Sequence, residues 1–214
     1  MGQNTGTRID FEHLVAAVAG RRGDGRLFVA IAGPPGGGKS TVAEALVARL
    51  EAADPGRSAV LPMDGYHYDD RVLLARGLHG RKGAPDTFDV AGLRHMLGRL
   101  RRDDEEEVAV PVFDRDIEIA RAGARVVPRG VRTLVVEGNY LLLGQAPWSS
   151  LRPAFDLTVL VAVPEEELRR RLTARWQGYR LSPEAVAAKL DGNDLPNGRL
   201  VMADSVAPDL LLAL

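Results

Sequence analysis

Apolar residues along the chain fall into two patterns. Short unbroken runs, LFVAIA (Leu27–Ala32), SAVLPM (Ser58–Met63), RTLVVEG (Arg132–Gly138) and DLTVLVAV (Asp156–Val163), have the length of strands buried on both faces. A last strand is expected near Pro208–Leu212. Between these runs the apolar positions recur at three- and four-residue intervals, as at Val42, Ala45, Leu46 and Leu50. That spacing predicts helices over Asp10–Ala19, from Ser40 onward, over Asp89–Arg102 with Asp89 as N-cap, from Pro164 to Trp176, and over Pro183–Leu190. VAVPVFD and ARVV flank a polar stretch between Val108 and Val127 and predict an antiparallel pair. GRRGDGR at Gly20–Arg26 reads as a turn, and the acidic run Asp103–Glu107 as a solvated one.

Strands alternating with helices imply an α/β fold with a mostly parallel, five-stranded sheet and helices on both faces. The antiparallel pair becomes a small β-hairpin insertion, and the 214 residues form a single domain. Such sheets bind ligands beyond the carboxyl ends of their strands. Gly33, Asp64 and Glu137 each stand at such an end, so three segments are expected to converge on one edge.

Gly33-Pro-Pro-Gly-Gly-Gly-Lys39-Ser40 matches the phosphate-binding loop G-x-x-x-x-G-K-[ST], with a strand before it and a helix after it. Gly33, Gly36, Gly37 and Gly38 let backbone N–H groups turn towards phosphate oxygens, and the helix start adds a positive dipole end. Lys39 is expected on the β- and γ-phosphates, the Ser40 hydroxyl on Mg²⁺, and Thr41 on phosphate. The chain therefore reads as a P-loop NTPase three-layer sandwich using ATP and Mg²⁺.

Two carboxylates extend the reading. Asp64, in MDGYHYDD, is placed to take a proton from an acceptor hydroxyl, although an Asp-Gly pair also forms turns. Glu137 ends its strand where such proteins carry an acid that organises Mg²⁺. Arg171 and Arg175 share a helix face at i, i+4 and could clamp a transferring phosphoryl group, whereas Arg169 reads as a solvated base. Leu168, Leu172 and Trp176 make an apolar stripe on that helix, within a lid expected at about 164–182. Tyr66, His67, Phe88 and Phe113 are candidate walls of an acceptor pocket.

Composition narrows the partners. The net charge of −1 offers no global basic field for nucleic acid or anionic lipid, and no apolar run reaches membrane-spanning length. The absence of cysteine excludes disulfides, thiolate metal sites and a thiol nucleophile. The opening MGQNTGTRID lacks the pattern of a secretory leader, so a cytoplasmic location is expected. The expected partner is a small-molecule acceptor, and the chain is a monomer or homodimer.

The order GPPGGGKST, MDGYHYDD, RKGAPDTFDV, PVFDRD and VVEGNYLLL resembles the uridine kinase, phosphoribulokinase and pantothenate kinase superfamily. It is most similar to the bacterial nucleoside/nucleotide kinase group that includes kinases assigned to fructose transport systems. The resemblance runs from about Leu27 to Leu210. It implies that Asp64 activates the acceptor, that Phe113, Asp114 and Arg115 line the acceptor pocket with Pro111, and that Phe88 packs nearby. Asp89 remains a helix cap on its residue type alone. Many uridine kinases carry an Arg-Asp pair in the lid; here Arg175 is followed by Trp176. Asn193, Asp194 and Asn197 either form a turn or, as the resemblance implies, approach adenine or support the lid.

The expected activity is transfer of the γ-phosphoryl group of ATP to a hydroxyl of a nucleoside, sugar or related metabolite. Two alternatives stay open. A nucleoside monophosphate kinase would use Arg115, Arg121 or Arg81 on the acceptor phosphate, and a regulatory module would bind nucleotide without turnover. A GTPase-like switch is disfavoured because no N-K-x-D guanine-reading motif is present.

Overall fold

The computed structural model describes residues 6–21, 23 and 25–214. The opening five residues, and Arg22 and Asp24 of the expected GRRGDGR turn, lie outside the described residues. In chain order the first half holds β1 (Thr7–Ile9), α1 (Phe11–Ala19), β2 (Leu27–Ala32), α2 (Lys39–Ala53), β3 (Ser58–Pro62), α3 (Asp70–Ala75) and α4 (Val90–Arg102). The second half holds β4 (Glu107–Asp114), β5 (Ile119–Pro128), β6 (Thr133–Gly138), β7 (Leu157–Ala162), α5 (Glu165–Gly178), α6 (Pro183–Lys189), α7 (Leu195–Asp204) and β8 (Leu210–Ala213).

Six strands form the central sheet in the order β1-β8-β7-β2-β6-β3, and every neighbouring pair is parallel. The expected count of five is thus one short. The addition is β1, three residues that pair with β8 from Thr7↔Leu210 to Ile9↔Leu212. Thr-Arg-Ile is too short and too polar to register as an apolar run; only the partner edge makes it a strand.

β2 explains why its run is apolar throughout. Phe28, Ala30 and Ala32 pack into one core with α4, the hairpin and Trp148. Leu27, Val29 and Ile31 pack into the other, with α1, α2, α5 and α6. A strand sandwiched between two layers has no solvated face, so no polar alternation survives.

β4 and β5 form the separate antiparallel hairpin that the sequence predicts. It approaches the sheet closely at Gly65, where any Cβ would press into the Pro111 carbonyl. Asp89 caps α4 by accepting the Gly92 N–H at 2.8 Å.

The acidic run is not merely a solvated turn. Asp103, in the left-handed region at φ 52°, pairs with the buried Arg26 at 2.7 Å and with Arg132 at 2.5 Å. Arg26 also donates to the carbonyl oxygens of Leu100 and Val131 at 2.6 and 2.9 Å. A buried guanidinium needs these acceptors, and the turn after α4 supplies the counter-charge. Among the described residues no helix is long and apolar enough to cross a membrane.

Candidate active site

The strand order brings the three expected strand ends together. β6 lies between β2 and β3, with Glu137 level with Ile31 on one side and Pro62 on the other. The phosphate loop follows β2 and Asp64 follows β3, so both flank Glu137. A cavity of about 890 Å³ opens at this edge.

The loop between β2 and α2 is shaped by its glycines. Gly36 and Gly38 have φ of 71° and 89°, a region that side chains resist, and a Cβ on Gly36 would meet Leu172 of α5 at 2.8 Å. Lys39 begins α2, is buried, and donates through Nζ to the Pro34 carbonyl at 2.9 Å across the loop. Burial holds its pKa below the usual lysine value, and Glu137 and Asp64 counter that.

The Ser40 hydroxyl donates to Glu137 Oε2 at 3.2 Å. Glu137 is buried beside Asp64, and desolvation together with that like charge raises its pKa above the ordinary range, against the opposing pull of Lys39. A hydroxyl and a carboxylate side by side at the foot of the phosphate loop fit Mg²⁺. That ion takes few protein oxygens and keeps other positions for water and phosphate.

Gly36, Gly38, Lys39, Ser40, Thr41, Asp64, Glu137, Arg171 and Arg175 all line the cavity, as do His67, Phe88, Phe113 and Arg115. Arg171 donates to Glu167 at 2.7 Å. The guanidinium of Arg175 lies 5.3 Å from the Trp176 ring centroid, and among the described residues no carboxylate pairs with it. Arg169 pairs outside the cavity with Asp191 at 2.7 Å.

On the opposite wall the His67 ring sits between Phe88 and Phe113, at 4.0 and 4.7 Å between centroids. Its Nδ1 lies 2.8 Å from the Asp64 carbonyl, which can only accept, so Nδ1 carries the hydrogen. Burial pushes the His67 pKa below the ordinary value, partly offset by the Asp64 charge. The neutral ring therefore leaves Nε2 as a lone-pair acceptor.

Five expected residues do not line the cavity: Gly33, Gly37, Tyr66, Asp114, and Pro111, whose carbonyl packs against Gly65 instead. Within the loop, Gly33 faces the Val161 backbone and Gly37 the Pro34 carbonyl. Tyr66 is buried in the core beneath, and among the described residues no partner meets its hydroxyl. Asp114 faces a shallower concavity on the hairpin, where it accepts from Arg121 at 3.0 Å. Both follow from local geometry: Tyr66 ends a 3₁₀ turn whose preceding Asp64 takes the site-facing position, and Asp114 closes the hairpin ladder opposite Ile119.

The cavity also recruits residues that sequence reasoning passed over. Lys82, Asn139, Tyr179 and Lys189 are among its walls. Lys82 stands in RKGAPDTFDV, so its neighbourhood was flagged even though the lysine was not. Asn139 likewise stands in VVEGNYLLL and Tyr179 within the expected lid, whereas Lys189 carries no motif. Asn193 donates to the Lys82 carbonyl at 3.1 Å, and Asn197 donates to Asn193 at 3.0 Å.

Comparison with known proteins places this architecture. No protein-family model matches the chain. The uncharacterised protein YggC of Escherichia coli strain K12 is 33% identical over 202 residues, covering 94% of this chain and 83% of YggC. A candidate uridine kinase of Schizosaccharomyces pombe is 31% identical over 195 residues, covering 87% and 83%. Among solved structures, a candidate fructose transport system kinase from Silicibacter sp. TM1040 is 40% identical with a TM-score of 0.88, over 95% of this chain and 98% of that one. With these likenesses across nearly its whole length, the chain belongs to the superfamily of P-loop kinases that holds the uridine kinases, phosphoribulokinases and pantothenate kinases.

Proposed function

We propose that this chain is an ATP-dependent kinase that transfers the γ-phosphoryl group to a hydroxyl of a small metabolite. The observation that carries the reading is the convergence of Lys39, Asp64, Glu137 and Arg175 from four segments on one cavity. Lys39 and the loop amides hold the phosphates, with Thr41 beside them. Ser40 and Glu137 hold Mg²⁺, which supplies charge neutralisation on the phosphate oxygens when bound.

In the reaction the acceptor hydroxyl oxygen forms a bond to the γ-phosphorus as the bond to the bridging β–γ oxygen breaks, and ADP leaves. Asp64 accepts the hydroxyl proton. Its position two residues beyond β3, with Glu137 on the neighbouring strand, sets it across from the phosphate loop. Arg171 and Arg175 meet the negative charge spread over the transferring group. Segment 164–182 acts as the lid that carries them, with Leu168 and Leu172 anchoring it in the core. His67 Nε2, Phe88 and Phe113 wall the acceptor side. Catalysis is mostly positioning and electrostatics.

The test is ADP release with MgATP across nucleosides, sugars, pantothenate-like alcohols and their phosphates. Release with one acceptor, abolished in Asp64→Asn, supports the reading. Tight MgATP binding with no turnover on any hydroxyl compound would favour the nucleotide-binding module instead.

A further inference from the structure

Arg115 Nη2 lies 2.5 Å from Asp64 Oδ2. Arg115 follows the last residue of β4 on the hairpin, and its side chain is 45% exposed, against 23% for Asp64. If Asp64 takes the proton of the acceptor hydroxyl, this guanidinium stands where the acceptor has to enter.

A guanidinium does not give up its charge, so an acceptor that carries its own anion can draw Arg115 away from Asp64 and keep it paired. Of the other cavity cations, Lys82 and Arg171 are already engaged, and Arg175 is assigned above to the transferring phosphoryl group. Lys82 is bonded to Asp70 at 2.6 Å and to the Glu118 carbonyl, and Arg171 is bonded to Glu167. Lys82 and Arg115 flank Phe113, at 5.5 and 5.6 Å from its ring centroid, so two cations frame the acceptor wall. Asp116 and Glu118 also line the cavity, but they belong to the exposed turn of the hairpin.

We propose that the acceptor is a hydroxylated small molecule bearing an anionic group, phosphate or carboxylate, which takes Arg115 over from Asp64. The inference rests on the kinase reading and names the substrate class. Exchange of partners leaves neither charge unpaired, and it frees the carboxylate only when a molecule with both a hydroxyl and an anion is aboard. A neutral acceptor would have to compete with the Arg115–Asp64 pair and offer the guanidinium nothing in return. His67 Nε2 adds an acceptor for one further hydroxyl of the ligand.

The experiment compares acceptors that differ only in the anion, using ADP release with MgATP in the wild type and in Arg115→Gln. Sugars are set against sugar phosphates, polyols against the corresponding sugar acids, and nucleosides against their monophosphates; the phosphate and carboxylate arms separate the two sources. An anionic member is expected to exceed its neutral partner in kcat/KM by about 10- to 100-fold, with most of that advantage lost in Arg115→Gln through a raised KM. Equal or better use of the neutral partner overturns the proposal and leaves the kinase reading standing.

A second measurement covers a panel that lacks the acceptor. With the ATP analogue AMP-PNP and Mg²⁺ filling the phosphate loop, inorganic phosphate should raise the melting temperature of the wild type but not of Arg115→Gln. No shift, or the same shift in both, overturns the proposal. Failure of the wild type to bind MgAMP-PNP at all overturns the kinase reading, and this inference with it.

Discussion

Trp176 Nε1 donates to Asp194 Oδ2 at 2.6 Å, tying α5 to the π-helical turn Leu190–Asp194 that joins α6 to α7. Asp194 is partly buried, and desolvation raises its pKa despite the indole bond and the nearby Arg175 and Lys189. The adjacent Asn193 reaches the Lys82 carbonyl on the acceptor side. Two consecutive residues thus join the arginine-bearing helix to the loop that holds Phe88, an arrangement a π turn permits because it offsets the side-chain register. Trp176→Phe should lower unfolding stability by about 1–3 kcal/mol, because Asp194 loses its donor. Asp194→Asn keeps an oxygen for the indole and should cost less; urea denaturation of both variants makes the comparison.

Lys39→Ala and Asp64→Asn should each fold and lose activity by about 10²–10⁴-fold, the range of a positioned acid–base or charge-stabilising group. Nucleotide affinity separates them. It should fall for Lys39→Ala, whose ammonium is proposed to meet phosphate, and stay near wild type for Asp64→Asn. Wild-type turnover in Asp64→Asn would remove the base assignment.

Arg26 is almost fully buried, with Asp103 as its counter-charge. Asp103→Ala should therefore destabilise the protein by about 3–5 kcal/mol, since it strands a buried cation. Equilibrium urea unfolding reads this directly. A loss under 1 kcal/mol would mean that the carbonyl oxygens of Leu100 and Val131 satisfy the guanidinium alone.

His67 supplies a pH signature. Its folded pKa lies below the ordinary value near 6.5, so the unfolded chain takes up the proton first. Stability held at neutral pH is then lost as pH falls below about 6.5. His67→Asn, which keeps an amide donor for the Asp64 carbonyl, should flatten the fall between pH 7 and 5. Melting temperatures across that window in both proteins provide the measurement, and parallel curves would exclude His67 as the source.

Much of this was legible in the residues because the signals are local. LFVAIA followed by glycines, a lysine and a helical period specifies strand, loop and helix through near-neighbour sterics and burial alone. The hairpin, the Asp89 cap and the Leu168–Leu172 stripe are local in the same way. What escaped was set by distant partners. Thr7–Ile9 is a strand only because β8 offers an open edge. The Asp103 turn is an ionic anchor only because Arg26, far away in sequence, is buried beside it. Tyr66 and Asp114 missed the site for a more local reason. The 3₁₀ turn gives the site-facing position to Asp64 and leaves Tyr66 to the core, and the hairpin ladder sets Asp114 against Arg121.

By itself the sequence determined the phosphate loop, the alternation of strands and helices, and which carboxylates end strands, since each depends on a few adjacent residues. Only the tertiary structure decided that β6 lies between β2 and β3, which sets Glu137 between the loop and Asp64. It alone also decided that the hairpin folds back to lay Arg115 against Asp64, 51 residues away. Strand order and hairpin docking follow from how two cores pack on the faces of one sheet, and that is a sum over contacts distant in the chain.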